Sequence, residues 1–231
     1  MKYFYLLLFI VLGASSCSVL KRSSNKELSD GYYRAAVNGK RQLVYVDIEE
    51  DTIVVHSVVA NVIDSQSVCH FNKQEIHNAS TKGMAFRKSS FDIDLLTLPV
   101  KYRPAKSGVP AQINTNINGS AYIGYRSDFH IVNYRKGKLK QSDRTINHYG
   151  YSLGIFSGIG NTAMNPTNTA GFLSQEYDGV VWLKGIAGFL AVNNYTIGLA
   201  VGSDHLLDRN HRQWIYQGRC WLGLAFGINL N

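Results

Sequence analysis

Apolar and polar residues alternate with a period of two along the second half of the chain. This is the pattern of β-strands whose two faces meet different surroundings. The segments that show it are 95–102, 112–126, 146–160, 179–192, 195–203 and 216–230. Between two of them, Asn193-Asn194 predicts a tight hairpin turn. We therefore predict six antiparallel strands after residue 90.

The two faces of these segments differ in chemistry. One face carries Ile, Leu, Phe and Tyr, whereas the other carries mainly Gly, Asn, Ser and Ala. A soluble β-sandwich would present Lys, Glu, Thr and Gln to water, yet 146–160 has no Asp, Glu, Lys or Arg, and 216–230 has only Arg219. Small side chains suit the crowded interior of a narrow barrel whose apolar face meets lipid. The tyrosines predicted to form an aromatic girdle are Tyr102, Tyr125, Tyr149 and Tyr216.

The alternation predicts an all-β fold class, an antiparallel small β-barrel of about eight strands. Closed membrane barrels have at least eight strands, so two more must come from the N-terminal module, residues 31–90, or from splitting 126–148. If residues 127–145 supply no strand, they are predicted to form a long connection. In 95–102 the alternation places Leu96, Leu98, Val100 and Tyr102 on one face and Pro99 on the other.

The sequence pattern of residues 31–90 predicts a short β module. Segments 42–48 and 52–58 are β-branched and aromatic, and they flank the polar turn Glu49-Glu50-Asp51, which indicates a hairpin. Val44, Val46 and Ile48 fall on one face of its first strand. A further strand is predicted at 32–37.

The first 17 residues, MKYFYLLLFIVLGASSC, have the pattern of a secretory signal. Lys2 precedes about ten apolar residues, too few to span a bilayer as a helix, and small residues lead to Cys17. The segment GASSC resembles a lipobox, which implies diacylglycerol on the Cys17 thiol. The predicted organisation is a lipoprotein signal peptide at 1–16, a lipidated tether at 17–30, the β module at 31–90 and the barrel region at 91–231.

The net charge of +8 is dispersed except in the basic run 135–140. Basic chains bind nucleic acid or acidic lipid. An exported protein rarely meets nucleic acid, so membrane lipid is the expected partner, including the phosphate-bearing headgroups of lipopolysaccharide. A solvated loop at 135–140 is the alternative.

The candidate catalytic and metal-binding residues do not form a recognisable site. His148 and Ser152 share one strand face but lie about 13 Å apart at 3.3 Å per residue, too far for a nucleophile and its base. Asp204, His205, Asp208 and His211 match no established ligand spacing, and neither do His56, His70 and His77. Cys69 and Cys220 show no disulfide framework. We predict no catalytic residue, no cofactor and no metal ion.

The stretches LLTLPVKYRP, NGSAYIGYRSD, YGYSLGIFSGIG, YDGVVWLKGIAGF and WLGLAFGINLN resemble small outer-membrane β-barrel proteins, in particular bacterial envelope lipoproteins with a C-terminal barrel. The resemblance covers residues 91–231 and implies location and fold. The predicted function is a non-enzymatic, lipid-anchored outer-membrane barrel with a structural, binding or narrow-transport role. The alternatives are a periplasm-facing, lipocalin-like lipoprotein that binds a hydrophobic ligand and an outer-membrane lipid-modifying enzyme.

Replacing Cys17 with Ala should abolish lipidation, because the thiol is the predicted acceptor of the lipid. Metabolic labelling with a palmitate analogue checks this. Persistent labelling of the Cys17→Ala protein would contradict it, and Cys69→Ala, which should label like the wild type, is the matched control.

Overall fold

The structure is a computed structural model that describes residues 27–76, 83–136 and 141–229. The predicted signal peptide, Cys17, His77 and most of the tether lie outside these residues. The described chain is all-β, and its strands form one antiparallel sheet of twelve strands. No helix in this part of the chain is long and apolar enough to cross a membrane.

The strands are β1 (Gly31–Val37), β2 (Lys40–Glu49), β3 (Thr52–Val59), β4 (Val62–Asn72), β5 (Gln74–Ile76), β6 (Met84–Arg103), β7 (Gln112–Asn114), β8 (Asn118–Lys136), β9 (Gln141–Met164), β10 (Tyr177–Val192), β11 (Tyr195–Leu206) and β12 (Cys220–Asn229). The neighbour order is β12-β11-β10-β9-β8-β6-β1-β2-β3-β4, and β12 also pairs with β6. This last pairing closes β6, β8, β9, β10, β11 and β12 into a ring.

The ring has six strands, so the predicted count of about eight is not confirmed. The long strand β6 explains the difference. Its C-terminal part pairs with β12, from Asp94 to Tyr102, whereas β1 pairs with it only at Phe86 and Arg87. The N-terminal strands therefore join the sheet beside the ring and do not enter it.

The segment 127–145 is not a long connection. β8 and β9 remain paired as far as Lys136 and Ser142, beyond the end of the ring. Their extensions are flanked by the N-terminal strands, because β1 pairs with β6 and β5 pairs with β9. The charged residues of this stretch are typical of a loop. The stretch nevertheless packs into the structure, because its residue Val132 is fully buried.

The N-terminal strands enclose a core of their own. The predicted hairpin is confirmed as β2 and β3, in which Val44 pairs with Ser57 and Glu49 with Thr52. Val44 and Val46 are fully buried, as their shared face predicted. The buried residues of this core are Leu28, Tyr33, Ala35, Val37, Val44, Val46, Ile53, Val55, Phe71, Phe86 and Val132. Strand β6 runs through residue 90, so the two regions share this strand.

The interior of the ring holds the second core. Its buried residues are Leu96, Leu98, Tyr122, Phe156, Leu183, Ala187, Phe189, Ala200, Trp221 and Ala225. The alternate positions face outward, as the sequence predicted: Ile155 is 66% exposed and Leu224 is 38% exposed. The turn at Asn193-Asn194 is also confirmed, with Val192 paired to Tyr195 and Asn193 at a φ of 49°.

A β-bulge in β6 overturns one face assignment. Leu224 pairs with Val100 and Phe226 with Thr97, so two residues of β6 oppose one of β12. An extra residue reverses the inside and outside parity of the strand beyond it. Leu96 and Leu98 consequently point into the ring, whereas Tyr102 is 44% exposed. The prediction that these residues share a face was wrong, and Pro99, which has no N–H to donate, lies in the bulge.

Tyr216 does not belong to an outer girdle. It precedes β12 and is 2% exposed, with the Arg103 guanidinium 5.3 Å from its ring centroid. Burial raises the pKa of Tyr216. Tyr102, Tyr125 and Tyr149 are exposed on the outer surface, as predicted.

Replacing Gly154 with Ala should destabilise the fold by about 1–3 kcal/mol. A Cβ at Gly154 would collide with the backbone of Ile123 and Gly124 on the neighbouring strand. Unfolding in urea, followed by tryptophan fluorescence, measures the effect.

The matched control is Gly119→Ala on β8. A Cβ there has no atom within 4 Å, so stability should be unchanged or slightly higher. Equal loss in both variants would contradict the close approach of β8 and β9.

Candidate functional site

An apolar belt surrounds the ring on its outer surface. Its exposed members are Phe91, Ile93, Leu95, Tyr102, Ile123, Tyr125, Tyr149, Tyr151, Leu153, Ile155, Ile159, Val180, Trp182, Ile186, Leu190, Val192, Tyr195, Ile197, Leu199, Val201, Leu222, Leu224 and Phe226. All six strands contribute. Among the described residues, the belt therefore continues around the ring.

The height of the apolar belt can be judged along β9. Its outward apolar positions run from Tyr149 to Ile159, about 33 Å at 3.3 Å per residue. On a strand tilted by about 40° this length would cover about 25 Å, which is the height of the apolar band on membrane barrels.

Lys184 is the exposed lysine of the apolar belt. Its Nζ lies 4.4 Å from the centroid of the Trp182 ring. The indole Nε1 of Trp182 in turn donates to Ser157 Oγ at 2.9 Å. A lysine can keep its charged end at a polar boundary while its alkyl stem covers apolar surface, so this arrangement is compatible with an otherwise apolar belt.

The ring interior contains a buried ionic cluster near one end. Asp204, which is 0% exposed, accepts hydrogen bonds from Lys101 Nζ at 3.0 Å and from the Arg103 guanidinium. Trp221 Nε1 donates to the same carboxylate at 2.8 Å, and Lys101 also donates to Asn118 Oδ1. The single carboxylate thus offsets part of the positive charge of the two cations that the bulge in β6 turns inward.

A second polar cluster lies where the ring meets the N-terminal core. His148 Nε2 is 2.7 Å from Asp128 Oδ1, and Arg126 Nε donates to the same carboxylate. The rings of His130 and His148 lie 4.9 Å apart between centroids. All of these residues except Arg126 are at most 2% exposed. They form a buried polar layer between the two apolar cores.

His148 and Ser152 are not brought together. Ser152 Oγ lies 2.7 Å from the Tyr122 hydroxyl oxygen, whereas His148 contacts Asp128. The described residues thus do not pair these two side chains as a nucleophile and its base.

The residues 204–211 do not converge on a cation. Asp204 lies on β11, one residue beyond the predicted strand segment 195–203, and points into the ring. Asp208 accepts hydrogen bonds from the Tyr177 hydroxyl and from the backbone N–H of Asn210. Among the residues that the structure describes, no three His, Cys, Asp or Glu side chains form a metal-binding group.

Cys69 and Cys220 are both unpaired. Burial raises the pKa of the Cys69 thiol to about 11, so at neutral pH this thiol stays protonated and a poor nucleophile. His56 Nδ1 is 3.0 Å from the carbonyl oxygen of Asp64, an ordinary local contact.

Sequence reasoning missed both polar clusters. The sequence does contain a signal for the cluster around Asp128. Arg126 and Asp128 fall on the same alternating positions of the strand as the small residues that face inward. No such signal existed for Lys101 and Arg103, whose direction depends on the bulge.

Comparison of the chain with protein-family models, with characterised proteins and with solved structures gives no match. The geometry of the chain itself therefore carries the functional argument.

Replacing Asp204 with Asn should cost about 3–5 kcal/mol of stability, because two buried cations lose their counter-ion. Urea unfolding monitored by tryptophan fluorescence would measure it. Asp51→Asn is the matched control, since its ion pair with Lys73 is largely exposed and should contribute at most about 1 kcal/mol. Similar stabilities for the two variants would contradict the role of the buried cluster.

Proposed function

We propose that this chain is a lipid-anchored outer-membrane protein whose ring lies in the bilayer, with six strands where single-chain outer-membrane barrels have at least eight. The apolar belt contacts hydrocarbon, and the protein has a structural or binding role without catalysis. The single observation that carries the proposal is a continuous outer face of large apolar side chains with Lys184 as its exposed lysine.

The extent of the apolar belt favours lipid over a protein partner. Soluble monomers rarely expose contiguous apolar patches larger than a few hundred Å². A protein partner covers one side of a molecule, whereas here every strand of the ring contributes exposed apolar residues. The hydrocarbon of a bilayer contacts an embedded ring from all directions. It therefore matches an apolar surface to which every strand of the ring contributes.

The N-terminal strands have a water-facing exterior. Their exposed charged side chains are Arg34, Lys40, Arg41, Glu49, Glu50, Asp51, Asp64 and Lys73. The charged surface and the apolar belt lie at successive positions along the shared strands β6, β8 and β9. In the proposed orientation the N-terminal strands stand outside the hydrocarbon, on the side of the membrane that carries the lipid anchor.

A filled interior favours a structural or binding role over transport. Tyr122, Phe156, Phe189 and Trp221 are buried inside the ring. The Asp204 cluster lies beyond them toward one end. A solute would have to displace these side chains in order to pass.

The alternatives have less support from the geometry. A lipocalin-like protein would turn Leu224 and Phe226 toward an internal ligand, but both are on the outer face. A lipid-modifying enzyme would require His148 to activate a nucleophile, and its nearest ring-nitrogen partner is Asp128. The proposed lipid on Cys17 complements the belt, since acyl chains contribute about 0.8 kcal/mol for each buried CH₂.

Replacing Leu224 with Arg should lower the stability of the membrane-inserted protein by about 2–4 kcal/mol, because the cation would face hydrocarbon. Reversible folding into phosphatidylcholine vesicles would measure the difference.

Val59→Arg is the matched control. Val59 is 66% exposed at the turn between β3 and β4, and a charge there should be tolerated in water. Equal stability of the Leu224→Arg protein and the control protein would contradict the membrane orientation.

A further inference from the structure

A cavity of about 400 Å³ lies on the outer surface where the apolar belt ends and the N-terminal strands begin. Its lining includes Tyr32, Arg34, Arg87, Lys88 and Tyr125. Residues 88–93 of β6 pair with β8 but with neither β1 nor β12, and this gap in pairing opens the sheet beside the cavity.

The cavity gathers positive charge that the fold does not neutralise. Arg34 and Arg87 are directly opposite each other in the β1–β6 pair. Lys88, the next residue of β6, also lines the cavity but projects toward the other face of the sheet, over Tyr33. Like charges at directly opposed positions destabilise a sheet. Among the described residues, no ion pair joins any of these three cations to a carboxylate.

The carboxylates that the structure describes elsewhere in the chain form no ion pair with these three cations. All 16 Asp and Glu residues lie within the described ranges. Glu75, whose side chain is not described, belongs to β5, which pairs with β9. Asp128 is opposite Lys88 in the β6–β8 register, but its oxygens accept from Arg126 and contact His148.

The cations of the cavity are held in place by neighbouring side chains. The Arg87 guanidinium lies 5.4 Å from the Phe129 ring centroid and donates to Ser127 Oγ at 3.1 Å. Its Nε is buried and has no hydrogen-bond partner among the described residues. Lys88 Nζ lies 5.7 Å from the Tyr33 ring centroid. These contacts restrict the cations but supply no negative charge.

We propose that this cavity binds a phosphate group. Arginine matches phosphate because its planar guanidinium can donate two hydrogen bonds to neighbouring oxygens. One phosphate between Arg34 and Arg87 would remove their repulsion. The tyrosines at the cavity wall would contact the uncharged part of a phosphate ester.

The position of the cavity indicates a lipid headgroup as the source of the phosphate, an assignment that rests on the proposed function. Tyr125 lines the cavity and also belongs to the apolar belt, where its ring packs against Phe91 at 6.4 Å between centroids. A phospholipid whose chains lie along the belt would carry its phosphate to this level. Free phosphate has the same recognised chemistry.

The test uses the full chain in neutral dodecyl maltoside micelles. Thermal unfolding is followed with inorganic phosphate, with chloride at the same ionic strength, and with phosphatidic acid added to the micelles. Inorganic phosphate and phosphatidic acid should each raise the unfolding midpoint of the wild type. Action by phosphatidic acid at a lower phosphate concentration supports the lipid source.

The Arg34→Gln/Arg87→Gln protein should bind either probe at least tenfold more weakly. Without phosphate it should unfold at the same temperature as the wild type or higher, because the opposed charges are gone. Arg34→Gln alone, at an exposed position, provides the same comparison if the double variant does not fold. Arg41→Gln is the matched control, because Arg41 is an exposed cation on β2 outside the cavity, and it should respond like the wild type.

Each other outcome contradicts part of the proposal. A midpoint unaffected by both probes, or an equal loss of response in Arg41→Gln, would overturn the site. A response to inorganic phosphate alone would overturn the lipid source and keep the site. Because the inorganic phosphate arm needs no bilayer, it distinguishes failure of this site from failure of the proposed membrane orientation.

Discussion

The narrow interior of the six-stranded ring is the constraint on which the rest of the structure depends. Barrel diameter grows with strand number, so six strands enclose room for few large side chains. Phe189 and Trp221 are accommodated because they face glycines: a Cβ at Gly202 would lie 2.6 Å from the Trp221 ring. Once large aromatic and small residues share the interior in this way, the remaining large apolar residues of the strands must point outward. The apolar belt is therefore a consequence of how the ring is filled.

The long strands β6, β8 and β9 connect this ring to the N-terminal core. Each continues beyond the ring, and their extensions pair with β1 at one margin and β5 at the other. The buried layer around Asp128 and His148 lies between the two cores. The bulge in β6 adds a second polar layer at the other end, because it turns Lys101 and Arg103 toward Asp204. These two apolar cores and the two charged layers thus succeed one another along the same strands, and a third buried apolar cluster follows Asp204, made of Met164, Val181, Leu206, Trp214 and Tyr216.

Much of the ring could be predicted from the sequence, and the reasons for the failures are physical. The faces of 112–126 and 146–160 were predicted correctly because an uninterrupted period of two fixes which side chains share a face. The bulge beside Pro99 could not be seen, since parity changes only through the register with β12. The extension of β8 and β9 past the ring was missed because its charged residues resemble a loop. The strand count exceeded six because it was based on membrane barrels in general and not on the pairing of β6 with β12.

The direction of the apolar belt is tested most directly by spin labels in lipid vesicles. Single cysteines at Ile155, Leu199 and Leu224, with Val59 as the reference, would carry nitroxides in a protein whose Cys17, Cys69 and Cys220 are replaced. The account predicts that the three belt labels are relaxed by oxygen dissolved in the bilayer and protected from a water-soluble nickel chelate, with the opposite behaviour at Val59. Belt labels as accessible to the nickel chelate as the label at Val59 would contradict it.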